Sequence, residues 1–245
     1  MGLTELVARK ERPLIDVPVF IIVALIIAVF LQILLHFYRP APVAKAAALP
    51  SPPEQASLEL ASMGEPVVMA KILMLWLQAF DQQPGLSISF RELDYIKITA
   101  WLERILTLDP RSRYPLLTAA RVYADVEDAD RKRQMLEFVY KKFLQDPEHR
   151  WPWLAHAVYV AKHRLHDLPL AYKYAKALRE HTSARNIPDW ARQMEIFILE
   201  DMGDIESAKV LIGGLIESGV ITDINELRFL EDRLKFSVDD YNKHP

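Results

Sequence analysis

The apolar positions of this chain fall into two regimes. From Val17 to Tyr38 the sequence reads VPVFIIVALIIAVFLQILLHFY, 22 residues without Asp, Glu, Lys or Arg. A bilayer core of ~30 Å needs about 20 helical residues at ~1.5 Å rise each, so the stretch predicts a single transmembrane helix. It exceeds the roughly 7–15 apolar residues of a signal peptide, so an uncleaved anchor is expected despite the small-x-small pattern Ala44-Lys45-Ala46. From Pro66 onward apolar residues recur at helical spacing and group into pairs of helices. The expected pairs are 66–80 with 92–108, 115–126 with 129–144, 152–164 with 168–181, and 188–201 with 205–217, followed by a last helix over 224–236. Prolines at the first turn of several of these, and Asp or Asn near the starts, supply the boundaries.

The remaining segments are assigned by composition. Residues 1–16 form a short N-terminal tail and 237–245 a C-terminal tail. Residues 39–65 carry Pro40, Pro42, Pro50, Pro52 and Pro53 among alanines. They predict a semi-rigid, polyproline-like spacer of ~3.1 Å per residue that holds the domain away from the lipid surface. The fold class expected is all-α: an N-terminal transmembrane helix, then a short solenoid of helical hairpins over 66–236.

Charge and composition narrow the partners. The formal net charge is −3. Arg9, Lys10 and Arg12 are cancelled by Glu5, Glu11 and Asp16, so the excess belongs to the domain. A mildly acidic domain argues against nucleic acid, whose binding draws on excess Lys and Arg. The chain has no Cys, which removes disulfides, thiolate metal sites and thiol nucleophiles. Three basic residues precede the span, against Arg39 and Lys45 just after it. That bias predicts a cytoplasmic N-terminus and, in a bacterium, an inner-membrane protein with a periplasmic domain.

The hairpins repeat. Leu108-Asp109-Pro110 returns as Gln145-Asp146-Pro147, and Ala171 returns as Ala208, each 37 residues on. A helix-turn-helix unit at such a period predicts a solenoid. With Ala171 and Ala208 near the starts of second helices, and Trp153 and Trp190 early in first helices, the chain resembles the tetratricopeptide-repeat family over about 66–220. Its units are longer than 34 residues and the first-helix Trp-Leu-Gly-Tyr set is not intact. The resemblance implies protein binding on a concave face lined by first helices. Trp151, Trp153, Tyr159, Lys162 and His163 are then the candidate contacts, while core packing of the two tryptophans and Tyr159 is the competing reading.

Other constellations carry weaker chemical signals. Ala24, Ala28, Gln32 and His36 recur every four residues along one drifting face of the span, a pattern suited to packing on another transmembrane helix. His149, His156 and His163 are spaced by seven, about 10.5 Å along a helix at ~1.5 Å rise, too far to share a metal. No metal or cofactor is expected. Arg131-Lys132-Arg133 with Lys141-Lys142 reads as a solvated basic face, and Glu92, Asp94, Glu103, Glu195, Glu200 and Asp201 as surface charges. Gly213-Gly214 reads as close helix packing or a local weakness. No phosphate-binding loop or nucleophile elbow is present.

The leading expectation is therefore a non-catalytic, membrane-anchored interaction module, an accessory, scaffold or assembly subunit with protein partners in a membrane complex. No small-molecule substrate is expected. The alternatives are an enzyme acting on envelope polymers through a carboxylate pair, and a homo-oligomeric structural protein.

Overall fold

The structure is a computed structural model that describes residues 17–38, 46–83, 85–183, 187–219, 221 and 223–241, the last seven as backbone. The basic residues before the span, Arg39, Pro40, Pro42, Lys45 and Pro84 lie outside these residues. The chain divides into two compact units, Met1–Lys45 and Ala46–Pro245. The fold class is all-α.

The described part of the first unit centres on α1, Val19–Tyr38. The helix starts two residues later than the apolar run because Pro18 precedes it, and Ile21 N–H bonds the Pro18 carbonyl. None of its residues is buried. Among the described residues it is the single helix that is long and apolar enough to cross a membrane.

In the second unit the expected spacer is largely not a spacer. Residues 46–50 are strapped onto the domain. Ala47 N–H donates to Gln83 Oε1 at 2.8 Å, Gln83 Nε2 donates back to the Ala47 carbonyl at 3.0 Å, and Trp101 Nε1 donates to the Pro50 carbonyl at 2.8 Å. Leu49 is buried in the core. A short helix α2, Gln55–Ala61, comes next. The physical reason is that three long-range hydrogen bonds and one buried Leu fix a segment whose Pro/Ala composition, read locally, favours an extended chain.

The hairpins form as predicted, with shifted ends. α3 (Pro66–Ala79) pairs with α4 (Tyr95–Leu108), which begins at Tyr95 because the Asp94 carboxylate accepts from Ile96 and Lys97 N–H. The turn between them carries a two-residue antiparallel ribbon, β1 (Gln82–Gln83) with β2 (Leu86–Ser87), that helical periodicity does not announce. α5 (Tyr114–Arg121) is shorter than expected and ends in a 3-10 turn, Tyr123–Asp125. α6 (Ala129–Gln145) runs directly into α7 (Pro147–His163), and α8 is Leu168–His181. α7 starts at Pro147 rather than Pro152, so Pro152 lies inside the helix. The fourth first-helix is broken at Gln193 into α9 (Asp189–Arg192) and α10 (Met194–Asp201). Gln193 is buried and donates to Glu226 at 2.6 Å. α11 is Ile205–Glu217, and α12, Ile224–Tyr241, extends five residues into the expected tail.

The two Asp-Pro steps share one role. Asp109 and Asp146 leave the helical region in similar conformations (φ −134°, ψ 83° and φ −155°, ψ 73°) that end α4 and α6, consistent with the α region being disfavoured before proline. Their prolines diverge: Pro147 opens α7, whereas Pro110 opens a loop to α5. Buried Arg150 joins these ends, donating to the Lys142 carbonyl at 2.8 Å and the Pro110 carbonyl at 3.2 Å. A cation there also meets the negative ends of two helices.

The core forms two clusters. The larger runs from Leu49 through α8, and the smaller holds Ile196, Leu199, Ala208, Ile212, Ile221 and Leu230. α10 belongs to both, through Ile198 on one side and Ile196 with Leu199 on the other.

Two surface assignments are corrected. Lys132 and Lys142 are buried, not solvated. Lys142 pairs with Glu103, Arg133 meets Asp167 at 3.1 Å, and Arg131 covers the Tyr95 ring. Of the carboxylates read as surface charges, Glu195 is buried against Arg179 at 2.5 Å, Glu200 pairs with Arg233 and Asp201 with Lys162. At Gly213 and Gly214 an added Cβ meets nothing within 4 Å, so close packing is not their reason.

Candidate functional site

Among the described residues, side chains converge without filling the core along α7 and, in a depression of about 380 Å³ lined by Tyr172, Glu195 and Leu211 among others, between α8, α10 and α11; the α7 face is the aromatic one. The inner residues of α7, Leu154, Ala157, Val158 and Ala161, are buried. That leaves an opposite stripe, His149, Trp153, His156, Tyr159 and His163, at steps of three and four residues. Three adjoining depressions run along this stripe. The largest, about 460 Å³, is lined by Arg121, Trp151, Trp153, His156, Tyr159, Trp190 and Met194 among others. A second of about 160 Å³ shares Arg121, His156 and Tyr159 and adds Asp125 and Arg164. A third of about 220 Å³ shares Trp153 and adds Arg111, Arg113, His149 and Arg150.

The walls are aromatic. Trp151 meets Trp190 edge-on at 5.7 Å between ring centroids. The His156 ring stacks on Tyr159 at 5.9 Å, and Tyr159 meets His163 at 4.8 Å. Tyr159 is 49% and Trp190 53% exposed, unusually open for rings that bury large areas when they find a partner. The charge is one-sided. Five arginines line the three depressions against one carboxylate, Asp125, which lies 3.9 Å from Arg164. His156 is held below its ordinary range, first by burial and then by the Arg121 charge, with Asp125 opposing. It therefore stands as a neutral ring, able to donate and to accept a hydrogen bond.

Of the residues the sequence singled out, Trp151, Trp153, Tyr159 and His163 come together on this face. Trp151 and Trp153 are partly buried and also pack on the core, so both readings of them hold at once. Lys162 does not join them, because it forms an ion pair with Asp201 at the end of α10. Sequence reasoning missed Arg121, His156, Trp190 and Met194 as groove residues. The signal for His156 was present, since it continues the Trp153–Tyr159 stripe once α7 is known to start at Pro147. Arg121, Trp190 and Met194 come from distant segments and left no local trace.

The helix-packing candidates Ala24, Ala28, Gln32 and His36 all lie exposed along α1. Among the described residues no group of three or more His, Asp or Glu is placed to hold a metal ion. Glu226 is held above the usual carboxylate range by burial, assisted by Asp189 and Asp223, but it lines none of these depressions. No family model, curated protein or solved structure matches this chain.

Proposed function

We propose that the protein is a non-catalytic, membrane-anchored interaction module, and that the groove along α7 is where its domain grips a partner protein. α1 anchors it in a membrane, and the helical hairpins act as a short tetratricopeptide-like solenoid. In a bacterial cell the positive-inside bias places the domain in the periplasm, where the protein serves as an accessory or assembly subunit of an inner-membrane complex. The observation that carries this reading is the cluster of half-exposed aromatic rings beside guanidinium groups that outnumber the carboxylates of the groove. Trp, Tyr and Arg are the residues that concentrate binding energy at protein interfaces. The Ala24/Gln32 face of α1 offers a second contact, to another transmembrane helix.

The test is a gentle-detergent pulldown of the full chain beside a Tyr159→Ala, Trp190→Ala double variant and a Gln32→Leu, His36→Leu double variant, read by quantitative mass spectrometry. A defined set of proteins that the groove variant loses and the wild type keeps supports the reading. Identical recoveries from wild type and groove variant overturn the groove as the contact.

A further inference from the structure

α3 is apolar on its outward side as well as its inward one. Its 14 residues, PVVMAKILMLWLQA, include two polar ones, Lys71 and Gln78. The inward side is accounted for, since Ala70, Met74 and Leu77 are buried and Met69 and Leu73 pack against the core. The opposite side, Val68, Ile72 and Leu75, is 51%, 55% and 64% exposed. A helix of this composition is normally covered all round. The elbow that precedes α3 is also bare. There the chain turns by 110° between α2 and α3, with Leu60 and Met63 82% and 90% exposed. Met63 sits in the left-handed region (φ 48°), a conformation that disfavours any residue with a Cβ. A methionine held there with its side chain in solvent contributes no packing to the fold.

The chain itself says what covers this face. The strap at residues 46–50 fastens to Gln83 and Trp101, so the chain enters the domain on the α3–α4 hairpin that carries the bare surface. Only the seven residues 39–45 separate that strap from Tyr38 at the end of α1. The eight Cα steps from Tyr38 to Ala46 reach at most roughly 29 Å, from 3.3–3.6 Å per extended residue. The partner always within reach of α3 is therefore the surface of the membrane that holds α1. The chemistry fits: aliphatic side chains lead, with Trp76 and Lys71 beside them, residue types that settle at the headgroup level. Glu59 and Glu65 flank the elbow, so the attraction comes from apolar area and needs no anionic lipid.

We infer that the elbow and outer face of α3 are a membrane-docking surface, with Leu60, Met63, Ile72 and Leu75 resting in the headgroup–acyl boundary of the bilayer that α1 spans. The inference rests on α1 being an anchor but not on the α7 groove.

The chain has no cysteine, so single-cysteine variants report position directly. Full-length Leu60→Cys, Met63→Cys and Leu75→Cys are reconstituted in phosphatidylcholine vesicles and labelled with an environment-sensitive fluorophore. Quenching by nitroxide-bearing lipid acyl chains is then measured. Leu31→Cys in α1 reports insertion of the anchor, and Val210→Cys, 73% exposed on α11, reports a solvated position. The expected result is blue-shifted emission and several-fold stronger quenching at 60, 63 and 75 than at 210. Water-like signals at all three beside a quenched label at 31 overturn docking and leave the anchor standing. Disulfide formation between copies at position 75, with no lipid quenching, overturns it in favour of a dimer interface. An unquenched label at 31 overturns both.

Discussion

α3 and α7 are both first helices of their hairpins, and each leaves an outward face partly open among the described residues. They fill that face differently. α3 presents Val68, Ile72 and Leu75, smooth aliphatic groups with no donor or acceptor. α7 presents Trp153, His156, Tyr159 and His163 in a concave setting beside Arg121 and Arg164. An aliphatic face gains free energy from leaving water and is indifferent to the shape of what replaces it. Rings and guanidinium groups in a cleft impose direction and pairing, and so select a particular partner. On the two proposals above, one end of the domain meets a medium and the middle meets a molecule.

The comparison breaks most sharply between inner and outer faces. Leu154 on α7 is fully buried, whereas Leu75 on α3 is 64% exposed. Leu154→Ala removes core contacts and leaves a cavity, so unfolding in mild detergent, followed by tryptophan fluorescence against urea, should show a loss of about 3 kcal/mol. Leu75→Ala should change stability by less than about 0.5 kcal/mol. A comparable loss at Leu75 would mean that the outer face of α3 serves the fold and not a contact.

The next effect concerns what holds the α7–α8 hairpin to the helices after it. Glu195 of α10 has its side chain 2% exposed, and Arg179 of α8 supplies its countercharge at 2.5 Å with a side chain 28% exposed. That hydrogen bond is the main cause holding the Arg179 guanidinium above its ordinary range. Arg179→Met strands a buried carboxylate and should cost about 2 kcal/mol, below the full penalty of a wholly buried pair because Arg179 is partly solvated. Adding Glu195→Met should restore most of it, since a hydrophobic pair of similar volume often replaces an ion pair without loss. A double variant no more stable than the single would show that the pair does not act through charge burial.

How far the sequence carries depends on the range of the forces involved. Helix ends are legible where one residue sets them: the Asp94, Asp128, Asp167 and Asp204 side chains all accept backbone N–H groups at helix starts. The start of α7 is ambiguous in sequence because Pro152 and Pro147 give the same local cue, and only the Asp146-Pro147 junction with α6 decides between them. The strap at 46–50 is illegible because its composition is that of a tether, and Gln83 and Trp101, which hold it, are more than 30 residues away. Half of the groove is legible, since Trp153 and Tyr159 share one helix. Arg121 and Trp190 reach it from other hairpins. Lys162 shows the limit of reading exposure from type alone, because its ammonium group finds Asp201, a residue 39 positions on.

Within the groove, the outward rings should matter little for stability. Trp190→Ala removes a half-exposed ring that meets Trp151 edge-on, so a loss of about 1 kcal/mol is expected from the aromatic contact and partial burial. Tyr159→Ala should cost less, within about 0.5 kcal/mol. Together they keep the folded state intact while stripping the groove. A loss above about 3 kcal/mol for either one would place that ring in the core, by the scale of fully buried aromatics.

The smallest effect is set by pH and separates the two faces again, because α7 carries a titrating group and the outer face of α3 carries none in that range. His156 faces Arg121, Asp125 and Tyr159, and burial and the Arg121 charge hold its folded-state pKa below the ordinary 6.5. In the unfolded chain the imidazole takes up its proton near its ordinary pKa, while the native protein resists it. Below that value the unfolded state binds more protons, so the contribution is fully present above about pH 6.5 and is lost as the pH falls. Urea midpoints compared at about pH 7.5 and 5.5, a window around the histidine pKa that stays above the carboxylates, should therefore fall on acidification. The fall should be smaller in His156→Gln, which keeps a polar side chain but does not titrate. Equal falls in the two proteins would assign the acid sensitivity elsewhere and leave His156 without a part in it.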